Sequence, residues 1–332
     1  MGAAGSSPAG VSVHRRLQAA PLGARPAHGT QPCGGRTDTQ EVERSPHLCA
    51  ADDAHRAAGP TPRGALKRDP AAPPFGSRRI LGMRVDATTY TDAARAILDM
   101  AESGHGGMTC VATVHMVMEA FDTPDFQRLL NAADLVTSDG VPLVWALRWL
   151  GIPRAQRVYG PDLTPVVCRE AARRGVPVGF YGGHPEVLEA LTRELAVRIP
   201  GLRIAFSHSP PFAPLSAEED AKLTAAVVDS GARVLFVGLG CPKQERWMAT
   251  HRDRLPCAML GVGAAFDFLA GRKRQAPHWI QDAGLEWLFR LLCEPRRLWR
   301  RYAVHNPRFA FHFSCQLVRQ RRARRAGAPR VD

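Results

Sequence analysis

Short apolar runs alternate with longer segments of helical period along the chain from Ile80 onwards. Apolar residues that recur every three or four positions indicate amphipathic helices, and short apolar runs between them indicate buried strands. The runs that predict strands are residues 108–113, 135–137, 176–181, 202–206, 234–237 and 258–262. The segments that predict helices include residues 91–102, 185–198 and 217–230.

Strands that alternate with helices predict βαβ units, and hence an α/β fold with a mostly parallel sheet and helices on both faces. Several of the predicted strands run into glycine, as at Gly140, Gly182, Gly238 and Gly261. Ligands of such sheets bind at the carboxyl ends of strands, where glycine lets the backbone approach and helix N-termini favour phosphate. The pattern therefore predicts a nucleotide-type ligand.

Residues 1–76 show no sustained apolar period and are rich in Gly, Ala, Pro, Ser and Arg. Such a composition cannot bury enough surface to offset the entropy of ordering the chain, so this segment is expected to be disordered. We therefore expect three parts: the N-terminal extension, a globular domain over residues 77–284, and a basic C-terminal appendage over residues 285–332.

Charge is distributed unevenly along the chain. The formal net charge is +13, and residues 290–332 account for +10 of it, with 12 Lys+Arg against 2 Asp+Glu. Residues 79–289 are close to neutral. A basic block beside a neutral domain indicates an anionic partner, either nucleic acid or a membrane surface.

The pattern of cysteines and the hydropathy of the chain favour a cytoplasmic location for the protein. The eight cysteines form no CxxC pair, which favours a reducing compartment over a disulfide framework or structural zinc. No apolar run reaches the ~18 residues that a spanning helix needs, and the N-terminus lacks the apolar core of a signal peptide. We therefore expect a cytoplasmic protein.

Several nucleotide and metal motifs are missing from the sequence. GxxxxGK[ST] does not occur, and the pairs Gly238-Leu-Gly240 and Gly261-Val-Gly263 lack the third glycine of a dinucleotide fingerprint. Neither HExxH nor an Asp-x-Asp pair is present, so the expected site holds no metal and no cofactor. Arginine, lysine and helix N-termini must then neutralise phosphate.

Asp139 follows a predicted strand in Ser138-Asp139-Gly140-Val141-Pro142. A carboxylate there projects into the ligand cleft, where it can serve as a general base, but taken alone the residue is better explained as a turn aspartate or helix cap. In Arg157-Val-Tyr-Gly160-Pro161-Asp162, the acid is expected to cap the next helix. Arg157 is the candidate phosphate ligand of that stretch, because a guanidinium can hold phosphate bidentately.

Two strand-to-helix junctions carry polar residues. In Gly238-Leu-Gly240-Cys-Pro242-Lys243-Gln244-Glu245, three long polar side chains stand in the first turn of a predicted helix. They suit the phosphate, base and sugar hydroxyls of a nucleotide-type ligand. In Gly261-Val-Gly263-Ala-Ala-Phe266-Asp267, the acid can either cap a helix or bind ribose or sugar hydroxyls.

These motifs resemble those of the WecG/TagA/CpsF glycosyltransferases over about residues 80–313. The resemblance rests on five motifs in order: Asp139-Gly-x-Pro142, Arg157-Val-x-Gly160-x-Asp162-Leu163, Gly238-x-Gly240-x-Pro242-Lys243-Gln244-Glu245, Gly261-x-Gly263-x-x-Phe266-Asp267, and Gly284-Leu-Glu-Trp287-Leu-x-Arg290-Leu-x-x-Glu294-Pro295-Arg296-Arg297.

The resemblance implies a Rossmann-like domain and an inverting, metal-independent transfer from a UDP-sugar to a polyprenol-diphosphate-linked sugar. It also implies that Asp139 is the general base and that Arg157 and Gln244 act at the site. One base suffices for an inverting transfer, because UDP leaves from the face opposite the attacking hydroxyl. The expected substrate-binding residues of the domain are Arg157, Gly238, Gly240, Lys243, Gln244, Glu245, Gly263 and Asp267.

Two stretches depart from the family pattern. The usual Thr-x-Asn reads Val111-Ala112-Thr113, so Thr113 stands at the Asn position and is counted with Asp139 among the catalytic residues. Either Thr113 or His115 is expected to supply the missing polar contact. The usual Arg-Ala-Pro reads Gln275-Ala276-Pro277. Both differences bear on the donor, for which N-acetylmannosamine, its uronic acid and glucuronic acid stay open.

Leucine and tryptophan alternate with arginine over residues 285–301, which are expected to form a basic helix. Tryptophans among arginines are typical of a helix that lies on an anionic membrane, so a peripheral association with the inner face of the cell membrane is expected. The resemblance implies further that arginines of this appendage close the active site. These arginines map to Arg290, Arg297 and Arg300.

Two other functions compete with that of a glycosyltransferase. A nucleic-acid-binding protein would use the arginines of residues 319–325, but no base-reading module is visible and the glycine-ended strands would have no role. A noncatalytic sensor of sugar nucleotides would not need Asp139. The expected partners are thus a UDP-sugar donor, a lipid-linked acceptor and an anionic membrane, with no nucleic acid and with homo-oligomer formation left open.

Overall fold

The computed structural model describes residues 75–211 and 213–325, so the expectation of disorder for residues 1–76 falls almost wholly outside the described residues. The strands of the described chain are β1 (Ser77–Ile80), β2 (Met83–Asp86), β3 (Gly107–Ala112), β4 (Leu135–Ser138), β5 (Val178–Gly182), β6 (Ile204–His208), β7 (Val234–Gly238) and β8 (Ala258–Gly261). Its helices are α1 (Tyr90–Ser103), α2 (Val114–Asp122), α3 (Pro124–Asn131), α4 (Val141–Trp149), α5 (Gly160–Arg174), α6 (Pro185–Arg198), α7 (Ala217–Asp229), α8 (Lys243–His251), α9 (Ala265–Leu269), α10 (His278–Asp282), α11 (Glu286–Cys293) and α12 (Pro295–Arg325).

The strands form one sheet in the order β1-β2-β4-β3-β8-β7-β5-β6. Neighbouring strands are parallel except at the β1–β2 hairpin on one edge. All six strands predicted from apolar runs are present, and each of the three predicted helices matches an observed helix to within one residue at either end. The predicted α/β, Rossmann-like fold with a helical C-terminal segment is confirmed.

The sheet separates two apolar clusters, because successive residues of a strand face opposite sides. In β7, Leu235 and Val237 face the cluster that α2, α3, α4, α7 and α8 cover, which we call the α2-side core. Val234 and Phe236 of the same strand face the cluster beneath α1, α5, α6 and α9. Both faces are buried, which explains why the strands read as continuous apolar runs and do not alternate with polar residues.

The basic helix expected over residues 285–301 is interrupted. α11 ends at Cys293, and Glu294 leaves helical geometry with φ −133° and ψ 58°. The cause is the proline at position 295, which disfavours the helical conformation of the residue before it. α12 begins at that proline and continues to Arg325, well past the expected end.

The C-terminal segment is packed onto the domain. Leu298, Phe309 and Phe313 of α12 are buried, and the two phenylalanines belong to the α2-side core. Burial of a phenylalanine side chain contributes roughly 1.5–3 kcal/mol. The part of residues 285–332 that the structure describes therefore contributes to the fold, in addition to any role at a membrane.

Candidate active site

A cleft with two lobes lies at the carboxyl ends of the adjacent strands β4, β3, β8 and β7. The large cavity, of about 400 Å³, is lined by the glycine loops after β7 and β8. The small cavity, of about 90 Å³, is lined by the first turns of α2 and α4 and by residues of α11 and α12. Thr113, Asp139, Arg290 and Arg301 line both cavities, so they form the boundary between the two lobes.

Asp139 follows β4, and its backbone N–H donates to the carbonyl of Ala112 over 2.9 Å, which holds it beside the end of β3. Its side chain is 16% exposed. Burial raises the pKa of Asp139 to about 6, and the neighbouring Arg157 opposes this rise. The carboxyl group is therefore mostly ionised at neutral pH but more basic than an exposed aspartate, as a general base requires.

Arg157 connects Asp139 to the C-terminal helices. Its Nε donates to the Asp139 carbonyl over 2.6 Å, and its Nη2 lies 3.4 Å from Asp139 Oδ1. The same guanidinium donates to the Glu286 carboxylate and, over 3.2 Å, to Gln281 Oε1. It also lies over the Tyr159 ring, 4.2 Å from the ring centroid. The donors of Arg157 are thus engaged by the protein, and the residue orients Asp139.

Gln244 fastens the two glycine loops to each other. Its side-chain oxygen accepts from the backbone N–H of Gly240 over 3.1 Å and from that of Gly263 over 3.0 Å. Its amide nitrogen donates to Glu245 over 2.7 Å. Both glycines have positive φ, 80° and 55° respectively, which side chains rarely adopt. Gln244 lines the large cavity and sets the separation of its two loops.

The neighbours of Gln244 do not reach the cleft. Lys243 is exposed and lines neither cavity, and Glu245 is fully buried behind Gln244. Burial raises the pKa of Glu245 to about 7. Their predicted contacts with substrate have no counterpart in this geometry, because the first helical turn points only one of the three polar side chains towards the loops.

Gly238 is required by close packing at the end of β7. A Cβ at this position would lie 2.5 Å from Cε2 of Phe266, a distance that no side chain tolerates. Phe266 is buried in α9, directly after the second glycine loop. The absence of a side chain at residue 238 therefore allows the two loops to close around the large cavity.

A chain of alternating charges borders the large cavity. Asp267 Oδ2 lies 3.6 Å from Lys273 Nζ, which lies 3.4 Å from Glu294 Oε1. Glu294 Oε2 in turn accepts from Arg297 Nε over 2.7 Å. Asp267 makes no capping hydrogen bond to α9, and its side chain is partly exposed in the large cavity, where it is accessible to a ligand.

Arg290 and Arg301 bring positive charge to the boundary of the two lobes. Arg290 lies over the Phe268 ring, 5.5 Å from its centroid. The Nε atoms of both arginines are buried and have no hydrogen-bond partner among the described residues. Burial lowers the pKa of Arg301, with a further contribution from neighbouring arginines. Two cations with unused donors in one cleft favour a polyanionic ligand such as a diphosphate.

A model of the WecG/TagA/CpsF glycosyltransferase family matches residues 78–324, which is most of the chain. The chain belongs to this family. Its members are glycosyltransferases of cell-surface polysaccharide synthesis, and the family implies a nucleotide-sugar donor and a lipid-linked acceptor. The match confirms the resemblance drawn from the five motifs and selects the enzymatic interpretation over the nucleic-acid-binding one.

Arg300 is not part of the glycosyltransferase cleft. It is exposed and lines neither cavity, whereas Arg301 lines both, so the choice of Arg300 from the sequence is replaced by Arg301. Successive residues of a helix are about 100° apart. Arg300 therefore lies about 200° from the buried Leu298, on the opposite side of α12, and Arg301 lies only about 60° from it. Arg297 lines the large cavity as expected.

Thr113 caps the N-terminus of α2. Its hydroxyl accepts from the backbone N–H of Met116 over 3.4 Å, and the residue lines both cavities of the glycosyltransferase. Its expected place at the site is consistent with this position. His115 lines the small cavity but its Nε2 lies 3.4 Å from Glu119, so its polar contact is directed along α2.

Three residues of the site were not selected from the sequence: Tyr159, Glu286 and Arg301. Glu286 lies within the Gly284-Leu-Glu-Trp287 motif but no local signal indicates that it pairs with Arg157. Tyr159 stands between two motif positions of the family. Only Arg301 could have been found, because its helical spacing from Leu298 and Phe309 places it beside the buried face of α12.

Proposed function

We propose that this glycosyltransferase moves a sugar from a UDP-sugar to a polyprenol-diphosphate-linked sugar at the cytoplasmic face of the membrane, by an inverting, metal-independent reaction. The observation that supports it most directly is one partly buried carboxylate, Asp139, at a boundary that it shares with Arg290 and Arg301. The proposed sugars are N-acetylmannosamine, its uronic acid and glucuronic acid.

In the proposed reaction, Asp139 accepts the proton of an acceptor hydroxyl whose oxygen attacks the anomeric carbon of the donor. The bond between that carbon and the UDP oxygen breaks on the opposite face, and UDP leaves with the bonding electron pair. Arg290, Arg297 and Arg301 neutralise the charge that develops on the diphosphate. A single displacement inverts the anomeric configuration, so no second carboxylate is required.

The large cavity suits the UDP-sugar. Its volume lies within the roughly 300–1,000 Å³ of small-molecule sites. Glycine at positions 238, 240 and 263 places no side chain between the loops and a diphosphate, while the N–H groups of Gly240 and Gly263 are held by Gln244. Asp267 lines the same cavity and is available for ribose or sugar hydroxyls. The small cavity would then receive the reacting sugar of the acceptor, because Asp139 lines it as well.

A screen of UDP-sugars with a polyprenol-diphosphate-linked sugar acceptor tests this function through the release of UDP. We expect release with at least one of the three donors, only when the acceptor is present, and at least about 10²-fold slower release with the Asp139→Asn variant. Release that does not depend on the acceptor, or activity confined to a sugar nucleotide other than a UDP-sugar, would contradict the proposal.

Transfer is expected to proceed at an unchanged rate without added Mg²⁺ or Mn²⁺. The three carboxylates among the described lining residues already have cationic partners, since Asp139 and Glu286 pair with Arg157, and Asp267 pairs with Lys273. Mg²⁺ is usually held by one or two carboxylates together with substrate phosphates, and the pairing of these three carboxylates favours the arginines as the groups that neutralise the diphosphate. Initial rates over a titration of each ion measure this, and a rate that depends on either ion would refute metal-independent transfer.

Membrane association is proposed for residues 285–332, because their described part exposes apolar and basic side chains together. Leu292 and Trp299 are 74% and 58% exposed, and Trp279 in the preceding helix is 69% exposed. Arg296 and Arg300 are exposed in the same segment. None of the helices within residues 75–211 and 213–325 is long and apolar enough to cross a membrane.

Leu292→Asp combined with Trp299→Ser is expected to weaken binding to anionic vesicles by about tenfold or more. Transfer of each large apolar side chain into the interface contributes roughly 1.5–3 kcal/mol, which the variant loses. Co-sedimentation with phosphatidylglycerol-containing vesicles measures the change. Val197→Asp serves as the matched control, since Val197 is 75% exposed but lies on α6. Equal losses in both variants would show that the segment is not the membrane contact.

A further inference from the structure

Two histidines and a glutamate meet where α2 contacts α12, outside the proposed transfer chemistry. His115 and Glu119 stand one turn apart on α2, with His115 Nε2 3.4 Å from Glu119 Oε1. His305 of α12 places its Nε2 3.9 Å from the same oxygen. One ligand atom from each of the three residues lies within 4.8 Å of the other two. The rings of the histidines meet edge to face, with centroids 5.1 Å apart.

Neither imidazole is hydrogen-bonded to a described residue other than Glu119. The Nδ1 atoms of His115 and His305 are buried and have no hydrogen-bond partner among the described residues.

Charges on both helices face the cluster. Arg301 of α12 lies near His115, and Arg308 lies near His305. Arg308 is neutralised by Asp122 of α2, to which it donates two hydrogen bonds of 2.7 and 2.8 Å. Glu119 therefore supplies a negative charge that a divalent cation can share.

We propose that His115, Glu119 and His305 bind one divalent transition-metal ion, for which Zn²⁺ is the best match. Two imidazoles and one carboxylate are a common ligand set for zinc with an open fourth position. Bonds of about 2.0–2.2 Å in a tetrahedron place ligand atoms about 3.4 Å apart. The distances of 3.4 and 3.9 Å from the two Nε2 atoms to Glu119 Oε1 are close to this value, and one ligand atom of each residue lies within 4.8 Å of the other two.

The ion would fix the position of catalytic groups without contacting the donor diphosphate. α2 begins next to Thr113, and His305 stands one turn after Arg301 on α12. A metal ion bound by both helices would hold Arg301 at the cleft. The open fourth coordination position of the ion would face the small cavity, which both histidines line. This inference does not rest on the identity of the donor or acceptor.

Zinc binding by the full chain tests the proposal. The protein is freed of metal with a chelator, dialysed, and titrated with Zn²⁺ in competition with a chromophoric chelator. Co²⁺ is then substituted, because its visible spectrum reports tetrahedral geometry and its near-ultraviolet thiolate band reports cysteine ligands. Glu119→Gln and His305→Gln remove one ligand each. His312→Gln is the matched control, since His312 lies on the same helix and contacts Phe121 instead.

We expect one tight equivalent of Zn²⁺ in the wild type and in His312→Gln, and at least about 100-fold weaker binding in the two ligand variants. Zn²⁺ should also raise the unfolding temperature of the wild type and the control but not of Glu119→Gln, a variant that keeps the size of the side chain. Equal zinc content in all four proteins, no tight equivalent in the wild type, or a cobalt spectrum with a thiolate band would overturn the proposal.

Discussion

Replacement of Asp139 by asparagine is expected to lower the transfer rate by about 10²–10⁴-fold, the usual contribution of a general base. The amide keeps the shape of the side chain and can still accept a hydrogen bond from Arg157, but it cannot take a proton from the acceptor. Binding of UDP should change little, because Arg290 and Arg301 remain. Steady-state turnover together with UDP titration by calorimetry measures the two quantities separately.

Protein stability distinguishes a lost base from a lost fold. The folded-state pKa of Asp139, about 6, exceeds the ordinary value of 3.8, so the folded protein holds this proton more tightly than the unfolded chain. The stability from this group is therefore present at acidic pH and is lost as the pH rises through about 6. At neutral pH the asparagine variant should unfold at the same temperature or a few degrees higher. Near-normal turnover of a folded variant would exclude Asp139 as the base.

The same pKa predicts the pH dependence of the wild-type enzyme. Because the base must be ionised, kcat/KM should fall about tenfold for each pH unit below about 6 and should be level above it. A profile of kcat/KM against pH, with unfolding monitored at each point, measures this dependence. The decisive range is about one pH unit on either side of that pKa, from about pH 5 to about pH 7. A value of kcat/KM that stays constant over this range would contradict the assignment of Asp139 as the base.

Arg301→Gln and Arg290→Gln are each expected to lower kcat by about 10²-fold or more, whereas Arg300→Gln should remain within about twofold of the wild type. A cation aimed at developing charge in a cleft shielded from water contributes far more than an exposed one. Arg300 is the matched control because it is the same residue type on the same helix, adjacent in sequence, and exposed. Turnover with saturating donor and acceptor measures the difference.

Vesicle binding provides the second measurement for these variants. One basic residue contributes only about 1 kcal/mol at an anionic surface, so each of the three variants should bind anionic vesicles at most about fivefold more weakly than the wild type. Truncation after Gly284 is less informative, because it removes the buried Phe309 and Phe313 along with the arginines. If Arg300→Gln were as inactive as Arg301→Gln, the arginines would act through net charge and not through position.

The sequence by itself determined six of the eight strands of the described chain, three of its helices and the location of the site along the chain. Strands buried on both faces must read as apolar runs, and the helices between them must carry a helical period, so both signals are local. The position of Asp139 after β4 followed from the same reasoning. Glycine at positions 240 and 263 was likewise visible, because each has a positive φ within its own loop, whereas glycine at position 238 is required by a contact with Phe266, which follows the other loop.

The tertiary structure alone decided which of the polar side chains face the cleft and which face each other. Gln244 turned out to fasten two loops, because Gly263 is brought beside Gly240 only by the pairing of β7 with β8. Arg157 pairs with Glu286 across 129 residues. No local pattern encodes such contacts, since they depend on how the C-terminal helices pack on the sheet.

Arg300 and Arg301 show the same difference between what the sequence predicts and what the tertiary structure decides, within a single turn of helix. The alternation of leucine and tryptophan with arginine predicted that residues 285–301 are basic and interfacial. It could not predict which side of α12 would be buried. That side is set by Leu298, Phe309 and Phe313, which pack against the domain. The 100° step between helical residues then directs Arg301 into the cleft and Arg300 away from it.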